Sequence, residues 1–225
     1  LSAHETTAVH KARIFLVDDH PIVRQGLSQL INRESDLVVS GEAEDARAAL
    51  AAIASSRPDL MIVDISLAGP DGLDLLKDIR SSDPTLPVLI LSMLDETLYA
   101  DRALRAGANG YIMKHEATER LLDAVRRILN GELYVSDRMA RRMLAQFASH
   151  PDSAARSPVE GLTDRELEVF RLIGQGQGTR QIAETLSLSI KTVESYQAHI
   201  KDKLALKNSR ELMQHAVHWV GKQLP

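Results

Sequence analysis

Residues 60–67 read Leu-Met-Ile-Val-Asp-Ile-Ser-Leu, four apolar residues in succession that stop on a carboxylate at Asp64. An apolar run without alternation suits a strand covered on both faces, as in parallel sheets sandwiched by helices. Working outward, helical patterns flank it at Asp45–Ser55 and Gly72–Arg80, and short apolar runs follow at Leu37–Val39 and Val88–Leu91. Further out lie a strand at Ile14–Val17, a helix at Pro21–Asn32, a helix at Glu96–Ala106, a strand near Tyr111–Met113 and a helix at Thr118–Asn130. This strand-helix alternation predicts an α/β domain of five parallel strands and five helices, doubly wound. Asp18, Asp19 and Pro21 read as a helix start, with a carboxylate as the cap and Pro in the first turn, and Gly131 reads as a C-terminal cap.

Beyond Gly131 the pattern changes. A polar helical stretch at Ser136–Ala148 leads into His150-Pro151-Asp152-Ser153 and Ser157-Pro158, which reads as a linker. From Leu162 onward the periodicity is helical, broken at Gly174–Gly178, Ser187–Ser189 and Lys207–Ser209, which implies an all-α unit of four short helices. The expected organisation is a lead-in at 1–11, an α/β domain at 12–131, a linker with a helix at 132–158 and a helical domain at 159–225. The Gly-rich stretch 174–178 lacks a following Gly-Lys-Ser/Thr and does not join strand to helix, so it is a connector rather than a phosphate loop.

A chain of 225 residues suits two compact domains. With no cysteine it has no disulfide, Cys-ligated zinc or Cys nucleophile, in keeping with the cytoplasm. No apolar run approaches the roughly 20 residues of a membrane span. Leu1–Val9 has neither the basic start nor the apolar core of a signal peptide, and reads as a disordered lead-in at a trimmed or processed N-terminus. Charge is uneven: residues 1–131 carry 14 Lys+Arg against 20 Asp+Glu, and residues 159–225 carry 9 against 8. Bulk charge therefore says little about nucleic acid, and the case for it rests on local pattern.

Ligands of open parallel sheets bind at the rim formed by the C-terminal strand ends. Asp18 and Asp19 follow the first strand, Asp64 ends the third, Ser92 follows the fourth and Lys114 follows the fifth. Carboxylates crowded there repel one another unless a cation joins them, and an oxygen-rich, Cys-free site suits Mg²⁺. With that ion and Lys114 offsetting negative charge, a carboxylate becomes a competent nucleophile toward phosphorus, and Asp64 is the best placed.

Residues 12–131 resemble a response-regulator receiver domain. Leu16-Val17-Asp18-Asp19-His20, Ile62-Val63-Asp64-Ile65, Leu91-Ser92 and Gly110-Tyr111-Ile112-Met113-Lys114 match its motifs in order. The resemblance implies a flavodoxin-like fold, phosphate accepted on Asp64 from a sensor histidine kinase, and Mg²⁺ held by Asp18, Asp19, Asp64 and the Ser66 carbonyl, with Asp18 acting partly through water. It also implies that Ser92, Tyr111 and Lys114 read the phosphoryl group, Ser92 by a hydrogen bond, Tyr111 by a rotamer change and Lys114 by charge. Departures are Leu67-Ala68 where Met-Pro is usual, no Pro after Lys114, and Met93 in place of a small residue.

In the helical part, Ile182, Ala183, Leu186, Leu188 and Val193 fit the seal between two helices of a helix-turn-helix, whose second helix enters the major groove. Ser189 is a good cap for that helix. Val193, Tyr196, Ile200 and Leu204 form its inward face, leaving Lys191, Glu194, Ser195, Ala198 and Lys201 outside. Glu194 accepts from a cytosine, orients a neighbouring cation, or discourages wrong sequences. Residues 162–216 resemble the LuxR-type DNA-binding domain of NarL/FixJ-class regulators, through Leu162-Thr163-Asp164-Arg165-Glu166, Gln181-Ile182-Ala183, Lys191-Thr192-Val193-Glu194 and Lys203-Leu204. Departures are Tyr196, where His is commoner, and Gly178-Thr179. The resemblance places Lys191, Glu194, Ser195 and Ala198 toward bases, and Thr179, Arg180 and Thr192 toward the backbone of double-stranded DNA. It implies a homodimer on phosphorylation, with the last helix (Leu212, Ala216, Val217, Trp219, Val220) giving core and dimer contacts. His215 and His218 lack a third ligand and read as surface residues.

The expectation is a phosphorylation-switched transcription regulator, not an enzyme beyond autophosphorylation and autodephosphorylation. Three rivals remain: an aspartyl-phosphate phosphohydrolase, which would need a second Asp where Ser66 stands; a ligand-sensing LuxR-type regulator, which would need an apolar pocket; and a DNA-binding regulator indifferent to phosphorylation.

Overall fold

The computed structural model describes residues 11–67, 72–148 and 158–223, so residues 1–10 of the lead-in expected at 1–11, Ala68 of the Leu67-Ala68 departure and residues 149–157 of the linker lie outside the described residues. The chain divides into two compact units, Leu1–Ala148 and Ser149–Pro225.

The first unit contains strands β1 (Ala12–Val17), β2 (Leu37–Ala43), β3 (Leu60–Asp64), β4 (Val88–Ser92) and β5 (Gly110–Met113). They alternate with helices α1 (Pro21–Asn32), α2 (Ala46–Ser56), α3 (Gly72–Ser82), α4 (Glu96–Arg105) and α5 (Ala117–Leu129), followed by α6 (Asp137–Ala148). All pairings are parallel and the strand order is β2-β1-β3-β4-β5, the doubly wound arrangement expected. Every residue of β3 and β4 is buried, which is why these strands read as unbroken apolar runs. One face of the sheet packs Ile14, Leu16, Ile62, Leu89 and Ile112 against Leu27 and Ile31 of α1 and Leu121, Val125 and Ile128 of α5. The intervening Phe15, Met61, Val63, Ile90 and Tyr111 are equally buried and serve the opposite face.

Local signals account for most boundaries. Asp45 caps α2 by accepting from the Ala48 N–H at 2.7 Å, and Asp95 caps α4 by accepting from the Thr97 N–H at 2.8 Å. Gly131 stands just past α5 at φ +85°, its N–H donating to the Ile128 carbonyl, as the expected C-terminal stop. Two readings change. β2 runs four residues beyond Val39, because Ser40-Gly41-Glu42 are carried past a register shift at Ile14/Phe15, where Gly41 passes against the Phe15 ring. The helix start at Pro21 holds, but neither Asp18 nor Asp19 caps it: His20 is the cap residue and makes no side-chain cap bond.

Helix α6, expected as part of a linker, groups with the first unit. Its Met139 is buried, and Arg138 donates from Nε to Glu96 Oε1 at 2.8 Å.

The second unit has the four expected helices, α7 (Asp164–Gly174), α8 (Thr179–Thr185), α9 (Ile190–Lys203) and α10 (Ser209–Gln223). A reciprocal Thr163–Glu166 capping box starts α7, and Gly176 at φ +83° turns the chain toward α8. Ser189 caps α9, accepting from the Thr192 N–H at 3.0 Å. Phe170 of α7 meets Trp219 of α10 at 5.6 Å between ring centres. Among the described residues no helix is long and apolar enough to cross a membrane.

Candidate functional site

The register that pairs Val17 with Val63, Asp64 with Leu91 and Ser92 with Met113 brings the strand ends to one rim. Asp18 and Asp64 are buried there, and Asp19 is partly exposed. Lys114, first residue after β5, reaches between the buried pair, its Nζ 2.7 Å from Asp64 Oδ2 and 2.6 Å from Asp18 Oδ2. The Ser66 N–H donates to Asp64 Oδ1 at 3.2 Å, so Ser66 enters the site through its backbone. The predicted carboxylates, Ser66 and Lys114 thus come together.

Two buried carboxylates, Asp18 and Asp64, face one ammonium, and Asp19 meets the His20 ring. Burial pushes the Asp64 carboxyl above the usual carboxylate range, and the nearby Lys114 charge only partly opposes it. Burial acts to lower the Lys114 ammonium, but Asp64 and Asp18 outweigh it and hold the group protonated. No hydrogen-bond donor is aligned on Asp18 Oδ2 or Asp19 Oδ1, although both are buried atoms. Together Asp18, Asp19, His20 and Asp64 offer ligand atoms within 4.8 Å of one another, an acidic pocket that fits a divalent cation.

Ser92 and Tyr111 lie on the neighbouring strands but are engaged elsewhere. The Ser92 hydroxyl accepts from the Leu94 N–H at 3.1 Å, and the Tyr111 hydroxyl donates to the Leu94 carbonyl at 2.7 Å. Both are therefore fastened to the turn that leads into α4. Burial pushes the Tyr111 phenol well above its ordinary value, so it stays a donor.

In the second unit, Ile182, Ala183, Leu186 and Val193 are buried between α8 and α9, with Leu188 half-buried. Lys191, Glu194, Ser195 and Ala198 are exposed along one side of α9, while Ile200 faces the core and Tyr196 is half-buried. The three residues expected near a DNA backbone differ from one another in their surroundings. Arg180 is exposed, 3.7 Å from Glu184. Thr179 accepts from Gln197 Nε2 at 3.2 Å, tying α8 to α9, and the Thr192 hydroxyl lies 2.8 Å from that of Ser189.

Residues 14–126 match the family model described as response regulator receiver domain, and residues 160–216 match that of bacterial regulatory proteins, luxR family. The chain belongs to the two-component response regulators. Among its relatives, the oxygen regulatory protein NreC of Staphylococcus haemolyticus (strain JCSC1435) is 38% identical over 209 residues, 91% of this chain and 96% of that one. A LuxR-family two-component response regulator from Aurantimonas sp. SI85-9A1 is similar in structure, with TM-score 0.58 and 36% identity over 62% of this chain and 99% of that one. RcsB from Salmonella enterica serovar Typhimurium, solved bound to promoter rprA in the presence of phosphomimetic BeF3−, gives TM-score 0.58 and 25% identity over 92% and 99%. The response regulator is a DNA-binding transcriptional regulator of a two-component system, with a receiver followed by a LuxR-type helix-turn-helix.

Two residues of the response regulator's rim escaped the sequence reading. Gly72, at the start of α3, lies so close to the Asp64 strand end that a Cβ there would sit 2.0 Å from the Asp64 carbonyl oxygen. His20 turns its Nδ1 to within 2.6 Å of Asp19 Oδ1 and 3.2 Å of Asp18 Oδ1. A Gly beside a helix start and a His beside an acid pair each have an ordinary structural reading, so neither stood out.

Proposed function

We propose that Asp64 is the phosphoacceptor, taking a phosphoryl group from a sensor histidine kinase, and that its occupancy controls promoter binding by the second unit. The observation that carries this reading is the Lys114 ammonium held 2.7 Å from Asp64 and 2.6 Å from Asp18 at the sheet rim. An Asp64 carboxylate oxygen attacks phosphorus, the phosphorus–nitrogen bond to the kinase imidazole breaks, and an acyl phosphate forms. Lys114 offsets the charge of the incoming group. Asp18, Asp19, Asp64 and the Ser66 carbonyl hold Mg²⁺, which when bound neutralises charge on the transferring oxygens.

Ser92 and Tyr111 read the product. The Ser92 O–H donates to a phosphoryl oxygen, and Tyr111 changes rotamer as its bond to the Leu94 carbonyl is released. The domain bounds we assign are 12–131 for the receiver, 132–158 for the linker with its helix and 159–225 for the DNA-binding domain. On DNA, Lys191, Glu194, Ser195 and Ala198 face bases, while Thr179, Arg180 and Thr192 meet the backbone. Phosphorylation favours a homodimer that spans two half-sites, and the protein acts in the cytoplasm. Its own chemistry is confined to autophosphorylation from small donors and autodephosphorylation.

The test is labelling by a small phosphodonor with Mg²⁺, read by intact mass and peptide mapping. Wild type takes one phosphoryl group on Asp64, and Asp64→Ala takes none. Equal labelling of Asp64→Ala makes the assignment wrong, and sustained release of phosphate from many phosphomonoesters would favour a phosphohydrolase instead.

A further inference from the structure

The His20 imidazole has no part in the roles assigned above, yet it faces the carboxylates. Its backbone N–H donates to Asp18 Oδ1 at 2.8 Å, which fixes the turn between β1 and α1. Pro21, next in the chain, occupies the first helical position and sets the direction in which the helix leaves. His20 itself keeps an extended backbone, φ −93° and ψ 108°, and from there its side chain reaches the rim instead of lying along the helix. Nδ1 is 2.6 Å from Asp19 Oδ1 and 3.2 Å from Asp18 Oδ1, while the side chain as a whole is 63% exposed. Without a cation, Nδ1 at these distances can donate to the carboxylates; in the tautomer with the proton on Nε2, its lone pair is open to a cation lying among the same oxygens.

A second observation points to a ligand at the same place. Asp18 is 2% exposed, and its Oδ2 has the Lys114 charge beside it but no aligned donor. One atom each from Asp18, Asp19, Asp64 and His20 falls within a 4.8 Å spread, the span of a single coordination sphere.

We propose that His20 Nδ1 is a fourth protein ligand of the cation, converting an all-oxygen site into one with three carboxylates and an imidazole, and that this residue makes the site prefer Mn²⁺ to Mg²⁺. The inference rests on the reading of this rim as a cation site. Mg²⁺ is a hard ion that takes oxygen ligands and gives up water reluctantly, whereas first-row transition ions gain from imidazole nitrogen. A His that only oriented Asp18 and Asp19 by hydrogen bonding would change the affinity for both ions alike.

The experiment uses the full-length protein with Mn²⁺ as probe. Electron paramagnetic resonance gives the affinity from the free-ion signal, and pulsed measurements detect nitrogen coupled to the bound ion. Mg²⁺ affinity is read by its displacement of Mn²⁺. Wild type is expected to bind one Mn²⁺ with imidazole nitrogen coupling. His20→Ala and His20→Gln should lose that coupling and lose about tenfold or more in Mn²⁺ affinity, with Mg²⁺ affinity unchanged within error. His20→Gln retains a hydrogen-bond donor and so separates ligation from positioning. Asp19→Asn keeps His20 and should lose the signal with the site.

Mn²⁺ bound without nitrogen coupling would overturn the inference, and so would an equal loss for Mg²⁺ and Mn²⁺ in His20→Gln. Coupling that survives Asp19→Asn would belong to one of the other histidines among the 8 of the chain and would also overturn it. Wild type that binds no Mn²⁺ would overturn the cation site itself, a failure distinguishable from the loss of nitrogen alone.

Discussion

The rim of the receiver and the outer side of α9 are both patterns of polar residues in the sequence, yet they differ in what surrounds them. At the rim, Asp18 and Asp64 are buried with Lys114 between them, within ion-pair distance of both. On α9, Lys191, Glu194, Ser195 and Ala198 stand in solvent. A site that does chemistry must hold opposing groups close before its partner arrives, so it is visible in the protein alone. A surface that reads DNA is completed by the DNA, and its residues keep their freedom until then.

That contrast can be broken by substitution. The largest effect on stability is expected at Lys114. In the absence of divalent cations, Lys114→Met leaves two buried carboxylates without their cation, and denaturant unfolding should show the first unit destabilised by about 3–5 kcal/mol. A change below about 1 kcal/mol would mean that the rim is better solvated than its burial indicates. Next comes Gly72→Ala, whose Cβ would meet the backbone of Asp64 and Ile65. A loss of about 1–3 kcal/mol is expected from this overpacking, together with slower phosphodonor labelling because the Asp64 strand end must shift.

The second unit also buries charged groups, Arg165, Glu166 and Glu168, and Glu166 sharpens the comparison. Glu166 is buried at the start of α7 and accepts from the Thr163 N–H at 2.7 Å and from Lys203 Nζ at 2.7 Å. Burial acts to raise its carboxyl, but Lys203 and Thr163 outweigh it and hold it below its usual value of 4.5. Its contribution is therefore fully present above pH 4.5 and is lost as pH falls through the lowered folded value. Glu166→Gln should cost about 1.5–3 kcal/mol near neutrality and flatten that acid-side slope, as measured by thermal unfolding across pH. The smallest effect on stability is expected on α9. Lys191→Ala should leave the unfolding midpoint within about 0.5 kcal/mol of wild type, while weakening DNA binding and reducing its salt slope by about one if Lys191 meets a phosphate. A base contact would instead relax sequence preference.

What was legible in the sequence follows the same division. The five strands, the doubly wound order and the four later helices follow from apolar periodicity and turn residues, because burial on two faces or one leaves a periodic trace. The rim was legible because its members fall at successive strand ends. β2 was read short, since the polar residues past Val39 hide a strand whose partner is carried over by a register shift. Gly72 matters through its close approach to the Asp64 carbonyl, which no local spacing encodes, whereas His20 adjoins Asp18 and Asp19 in the chain and matters through the direction its side chain takes there. The packing of α6 depends on Arg138 reaching Glu96, 42 residues away in the chain.

The central claim is that the state of Asp64 governs the affinity of α9 for DNA. The most direct measurement is binding to a duplex selected from a random pool, at fixed salt with Mg²⁺, for wild type and Asp64→Asn with and without a small phosphodonor. Tighter binding by phosphodonor-treated wild type, with no response from Asp64→Asn, is the predicted result. Equal affinity of wild type in both conditions would contradict the account and leave a regulator that binds DNA whether or not it is phosphorylated.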